Sequence, residues 1–166
     1  MEAAKSKFEI SMESGPHSQL ARLTGSWEGI ARTWFEKGVL ADESAVSGTI
    51  TSILDGRFLL HQYKGSMADK PLAGLAIIGY SFDYERYQTA WIDSFHMGTG
   101  ILFSEGIATE SGHSVIGSYG GISMPEPWGW RTELTVVDDN NIILTAYNVS
   151  PEGEEAKATE AVYKRV

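Results

Sequence analysis

Cysteine is absent from the 166-residue sequence. Disulfides, thiolate metal centres and thiol catalysis are thereby excluded. The absence is compatible with a reducing cytosol. Long apolar runs are missing too: nothing approaches the roughly 18 apolar residues of a membrane-spanning helix. Residues 1–14 are mixed and polar and lack the apolar stretch of a signal peptide. No membrane partner is expected, and the expected location is the cytoplasm. Positive charge is scarce: 13 Lys and Arg stand against 22 Asp and Glu, a net charge of −9. Nucleic acid is bound through clustered Lys and Arg, and no such cluster occurs, so it is not an expected partner. The acidity serves solubility. Asn148-Val149-Ser150 has the form of a glycosylation acceptor; without a secretion signal it reads as a strand end.

Catalytic and ligand motifs are equally sparse. The histidines, at 17, 61, 96 and 113, are scattered. None has the close spacing of a zinc site. Gly98-Thr99-Gly100 lacks the helix that a phosphate-cradling loop opens. No Gly-x-Ser-x-Gly elbow is present, which excludes a serine hydrolase of the α/β type. No cofactor is expected on these grounds.

What the sequence has is glycine, 18 residues of it, spread along the whole chain. Between the turn signals lie segments rich in Val, Ile, Thr, Tyr, Phe and Trp, a spacing that reads as strands. Strands are expected near 26–36, 44–53, 57–64, 72–82, 87–94, 101–108, 113–120, 130–137, 142–149 and 156–165. Leu20 and Leu23, three apart after Pro16, predict one helical turn closed by Gly25. Residues 1–14 are expected to be frayed, 65–71 to form a loop, and Met124-Pro125-Glu126-Pro127 to interrupt the strands. The expected fold is therefore all-β: one domain over 15–166, an antiparallel up-and-down barrel of about ten strands. Closure removes the two free edges that so long a meander would expose. A barrel of this size has room for a small ligand.

Two ends of the chain carry a resemblance. Gly25-Ser26-Trp27 opens the first strand, and Tyr163-Lys164-Arg165 closes the last. This pairing resembles the calycin superfamily, of lipocalins and fatty-acid-binding proteins, and implies that Trp27 plugs a closed barrel end with Arg165 packed over it. The middle adds Gly56-Arg57-Phe58-Leu59, Tyr63-Lys64-Gly65, Gly79-Tyr80, Trp91-Ile92-Asp93-Ser94, Arg131 and Glu160, in that order. The ordered set resembles the bacterial domain-of-unknown-function 1579 family from about His17 to Arg165. That resemblance supports the fold and implies no activity.

Alternation along strands assigns faces. With Trp27 inward, Gly29, Ala31 and Thr33 follow it and Trp34 lies outside. With Gln62 and Lys64 in water, Leu59, His61 and Tyr63 point in. Trp91 and Asp93 share a face, and Tyr63, Tyr80, Trp91 and Tyr147 are expected near the cavity. Asp93 and His96 stand three apart at a strand end; a carboxylate there could orient the imidazole for general-base work, or simply cap a turn. Arg131 and Glu133 share a face of their strand. Inward, Arg131 could bind a ligand carboxylate or phosphate; the apolar alternation of Trp130, Leu134 and Val136 favours outward. Arg57 reads as a rim residue. His61 could serve as a haem ligand, as in some barrels, or be an ordinary buried histidine. Three functions stay open. One is a binder of a small, largely apolar or aromatic ligand, touched by Tyr63, Tyr80, Trp91, Asp93, Arg131 and Tyr147. Another is a cofactor-free enzyme using Asp93, His96 or Arg131. The third is an interaction module, with Trp34 and Trp128 marking a homodimer face.

Overall fold

The computed structural model describes residues 4–166. Ten strands run in chain order: β1 (Gly25–Glu36), β2 (Val39–Ile53), β3 (Phe58–Met67), β4 (Lys70–Ser81), β5 (Arg86–Asp93), β6 (Leu102–Thr109), β7 (Gly112–Gly121), β8 (Met124–Asp138), β9 (Asn141–Val149) and β10 (Glu155–Arg165). Each pairs antiparallel with its chain neighbour, and β1 pairs with β10 to close the barrel. The up-and-down barrel expected from the turn spacing is the fold observed. Turn chemistry explains the tight connections. Gly38 takes a φ of 77° between β1 and β2, and Ala68 and Asp69, at 47° and 63°, make a two-residue hairpin between β3 and β4. Positive φ at both central residues matches the right-handed twist of the strands. The loop expected at 65–71 is thus only this turn.

Two other expectations are corrected. Residues 7–14 are not frayed but form helix α1 (Lys7–Ser14). Its N-terminus is held by a capping box: Ser6 Oγ accepts from the Glu9 N–H at 3.2 Å, and Glu9 accepts from the Ser6 N–H at 2.7 Å. This satisfies two donors that an isolated helix end leaves free. The frayed end expected at residues 1–3 lies outside the described residues. Residues 124–127 are likewise not a loop; they begin β8. Pro125 and Pro127 have no ladder partner there, so their missing N–H groups interrupt nothing.

One end of the barrel is shut. Helix α2 (Pro16–Ala21) and α1 pack across it. His17 Nδ1 pairs with Ser11 Oγ at 2.8 Å, and the His17 ring meets Phe8 and Phe82 at 5.0 and 5.2 Å. Behind the helices Trp27, Leu59, Ile142 and Tyr163 fill the lumen with almost no exposure. Trp27 Nε1–H donates to the Leu23 carbonyl at 2.9 Å, which ties the plug to the segment that precedes it. The opposite end carries the turns at 37–38, 68–69 and 122–123 and the longer connections 94–101 and 150–154.

Candidate functional site

The lumen is not filled along its length. Beyond the plug, the inward positions of five strands are small: Ala31, Gly65, Ala76, Ala146 and Ala161. Ten strands set a wall wider than such side chains can span. A cavity of about 170 Å³ results. Asp42, Ser66, Met67 and His96 line it next to the turns of the end opposite the plug, so that end is its mouth.

The walls are aromatic and apolar, with a few buried polar groups. Trp91 and Trp130 stack at 5.5 Å with 16° between their planes. Trp91 Nε1–H donates to Tyr63 Oη at 2.9 Å, which leaves the Tyr63 hydroxyl proton free. Gly74 makes this possible: a Cβ there would lie 2.1 Å from Tyr63 Oη. Burial pushes the Tyr63 phenol well up, and the nearby Asp93 charge adds to this, so it stays a neutral donor. Thr33, His61, Ser104 and His113 are buried and line the same space. Burial holds both histidines at about 4, so each ring is neutral. His113 stacks on Tyr87 at 4.4 Å. His61 Nε2 is the buried side-chain atom, among the described residues, that has no hydrogen-bond partner.

Asp93 organises the mouth. It ends β5, and its side chain is fully buried. One carboxylate oxygen accepts the His96 and Met97 N–H groups at 2.6 and 2.8 Å, which folds the chain back after the strand. The other oxygen pairs with His96 Nδ1. Burial opposes ionisation of Asp93, but these bonds outweigh it and hold the carboxyl below its ordinary value. The His96 ring is thereby fixed at the cavity edge, 5.6 Å from Trp91 and 5.4 Å from Trp130.

Of the residues singled out in the sequence, Tyr63 and Trp91 line the cavity. Asp93 points inward, but its oxygens are engaged by its own loop. Tyr80 lies below the cavity, 6.2 Å from His17 and 5.1 Å from Tyr87. Tyr147 and Arg131 are on the outside, so an inward Arg131 and a cavity-near Tyr147 are both corrected. They pair directly across β8 and β9, and directly paired residues share a face. Arg131 Cζ sits 4.2 Å over the Tyr147 ring. Its guanidinium forks onto Glu155 at 2.7 and 2.9 Å and reaches Glu133 at 2.8 Å. Those contacts raise its already high pKa further. Trp130, Ser104 and His113 were not singled out as cavity residues. The alternation of Trp130, Thr132 and Leu134 carried the signal for the first; nothing local marked the other two. Among the described residues no group of three or more His, Asp or Glu could hold a metal ion.

Comparison with known proteins adds the following. A family model described as "Protein of unknown function (DUF1579)" matches residues 13–165. No curated protein matches. The S-type phycobiliprotein lyase CPES from Guillardia theta is similar in structure, with 11% identity, a TM-score of 0.57 and 98% of each chain covered. A de novo designed fluorescence-activating β-barrel covers 89% of this chain and 96% of its own, with 14% identity and a TM-score of 0.48. At such identities the likeness to the lyase is one of fold.

Proposed function

We propose that this chain, which belongs to the DUF1579 family of proteins of unknown function, binds a small, largely apolar molecule inside its barrel. The observation that carries the reading is the cavity: about 170 Å³, bounded by the Trp91–Trp130 stack and punctuated by buried polar side chains that few protein groups satisfy. Apolar walls with a small number of placed polar groups are the general form of a ligand site. Size narrows the ligand. An apolar cavity of about 150 Å³ takes a molecule the size of benzene, so this one suits a single ring or a short chain. It is too small for a long acyl chain or for the four linked rings of a haem, whatever His61 could ligate. The structural likeness to the lyase supports a barrel of a kind that can be put to work, and no more. Kinship with calycin-like barrels belongs to the same reading, supported by the Trp27 plug under Arg165.

Native and denaturing mass spectra of the protein purified from its own cells test this. A discrete extra mass in the native spectrum alone is expected. Equal masses in both, together with no uptake of any single-ring compound at millimolar concentration, would remove the proposal.

A further inference from the structure

Several polar groups border the cavity, but they do not select alike. The hydroxyls of Thr33 and Ser104 can each donate or accept, so they favour no particular ligand. His61 Nε2 faces the wall, where a Cβ on Gly48 would come within 3.1 Å of it. His113 is stacked on Tyr87 near the closed end. Asp42 and Glu160 only accept, but Asp42 is held by Ser44 and Ala68, and Glu160 by Arg32 and Lys157. Tyr63 is set as a donor. His96 differs in that its contact with Asp93 sets it as an acceptor. Asp93, ionised and buried, pairs with Nδ1. A carboxylate only accepts, so Nδ1 carries the proton, and in the neutral ring Nε2 then presents a lone pair. The same carboxylate holds the backbone of residues 96 and 97, so the ring has little freedom to turn away. Met97 packs beside it against the group around Leu102 and Trp130.

The geometry points to His96 as a fixed hydrogen-bond acceptor at the cavity mouth, and to a ligand that is a planar aromatic ring carrying a hydroxyl or ring N–H donor. This rests on the small-molecule reading and sharpens it. The ring lies against the Trp91–Trp130 stack, and its donor meets His96 Nε2. Asp93 is a positioning residue: it fixes the tautomer and does not touch the ligand.

Two probes of nearly equal shape separate the possibilities: 4-methylphenol and toluene. Taking a hydroxyl out of water without a partner is unfavourable, so a cavity without an acceptor ranks toluene first. With His96 in place the order reverses. NMR titration following the indole N–H resonances of Trp91 and Trp130 gives both dissociation constants. The wild-type protein is expected to bind 4-methylphenol about tenfold or more tightly than toluene. In His96→Phe the preference should vanish or invert, while toluene affinity stays within about threefold. Asp93→Asn, which frees the tautomer, should weaken the preference in the same direction with toluene again as the internal standard. Toluene bound as tightly as 4-methylphenol by the wild type overturns the acceptor role and leaves the cavity reading standing. A preference that survives His96→Phe does the same. If neither ring binds, both the acceptor and the small-ring reading fall.

Discussion

Arg165, next to last in the chain, lies over the indole of Trp27, with its Cζ 4.3 Å from the ring centroid. The guanidinium also donates to three backbone carbonyls: Thr24, Asp139 and Arg22, the last two at 2.8 Å. It therefore joins the start of β1, the β8–β9 turn and the end of α2 through one side chain. Arg165→Ala removes the stacked cation and strands those carbonyls. We expect a loss of about 2–4 kcal/mol, read as a lower urea midpoint. Arg165→Lys should recover only part, since an ammonium cannot span three acceptors at once. An unchanged midpoint for Arg165→Ala would show that solvent replaces all three bonds.

Arg131 gives the opposite expectation for binding. It clamps Glu155 and Glu133 on the outer wall, away from the cavity. Arg131→Ala should cost about 1 kcal/mol of stability and leave the affinity of the cavity for any small ring unchanged. Calorimetric titration beside a thermal melt checks both halves. A drop in affinity without a drop in stability contradicts the outward placement.

Gly74 leaves no space for a side chain behind Tyr63. A methyl group at this position overlaps the Tyr63 hydroxyl. Gly74→Ala should displace the phenol, break its bond to Trp91 and destabilise the protein by about 1–3 kcal/mol. The Trp91 indole N–H resonance should shift more than that of Trp27. A variant with native stability and spectrum would mean that the phenol has room to step aside.

Acid sensitivity follows from the two neutral histidines. Their folded-state values of about 4 lie below the ordinary 6.5. As pH falls, the unfolded chain takes up protons first, so stability declines from about pH 6.5 and levels off below about pH 4. The loss is of order 3 kcal/mol per histidine over that window. Asp93 acts lower: its bonds stabilise the fold above the ordinary carboxyl range, and this contribution is lost as pH drops through its lowered value. Urea midpoints between about pH 7 and pH 4 measure the first effect. His61→Leu should flatten the profile in part, the remainder resting on His113 and on His17, which burial also lowers. A profile already flat in the wild type would place these rings in contact with water.

How far the sequence could be read depended on contrast between neighbouring residues. Leu59-Leu60-His61-Gln62-Tyr63-Lys64 alternates from His61 on, and the inward placing of Leu59, His61 and Tyr63 is what the structure shows. Ile142-Ile143-Leu144-Thr145-Ala146-Tyr147 is apolar on both faces, so alternation could not place Tyr147; its outer position is decided by Arg131 on the next strand. The capping box of α1 was legible as Ser6 followed by Glu9, but a helix with so little apolar patterning reads as a polar tail. Asp93 and His96 were visible as a pair. That the carboxylate is spent on fixing the ring, with the ring left to face the cavity, depends on how the 94–101 connection folds back. No local pattern encodes that.

Every ladder of the barrel but one joins strands adjacent in the chain; the exception is the seam between β1 and β10. Nearby hairpins can form quickly, whereas a contact between residues such as Trp27 and Arg165 must close almost the entire chain into a loop. The seam is thus the slowest join expected during folding. Until it closes there is only a curved ribbon with no inside. Uptake of a small aromatic probe during refolding would report the meeting of the first and last strands, and the cavity would be the final thing the chain makes.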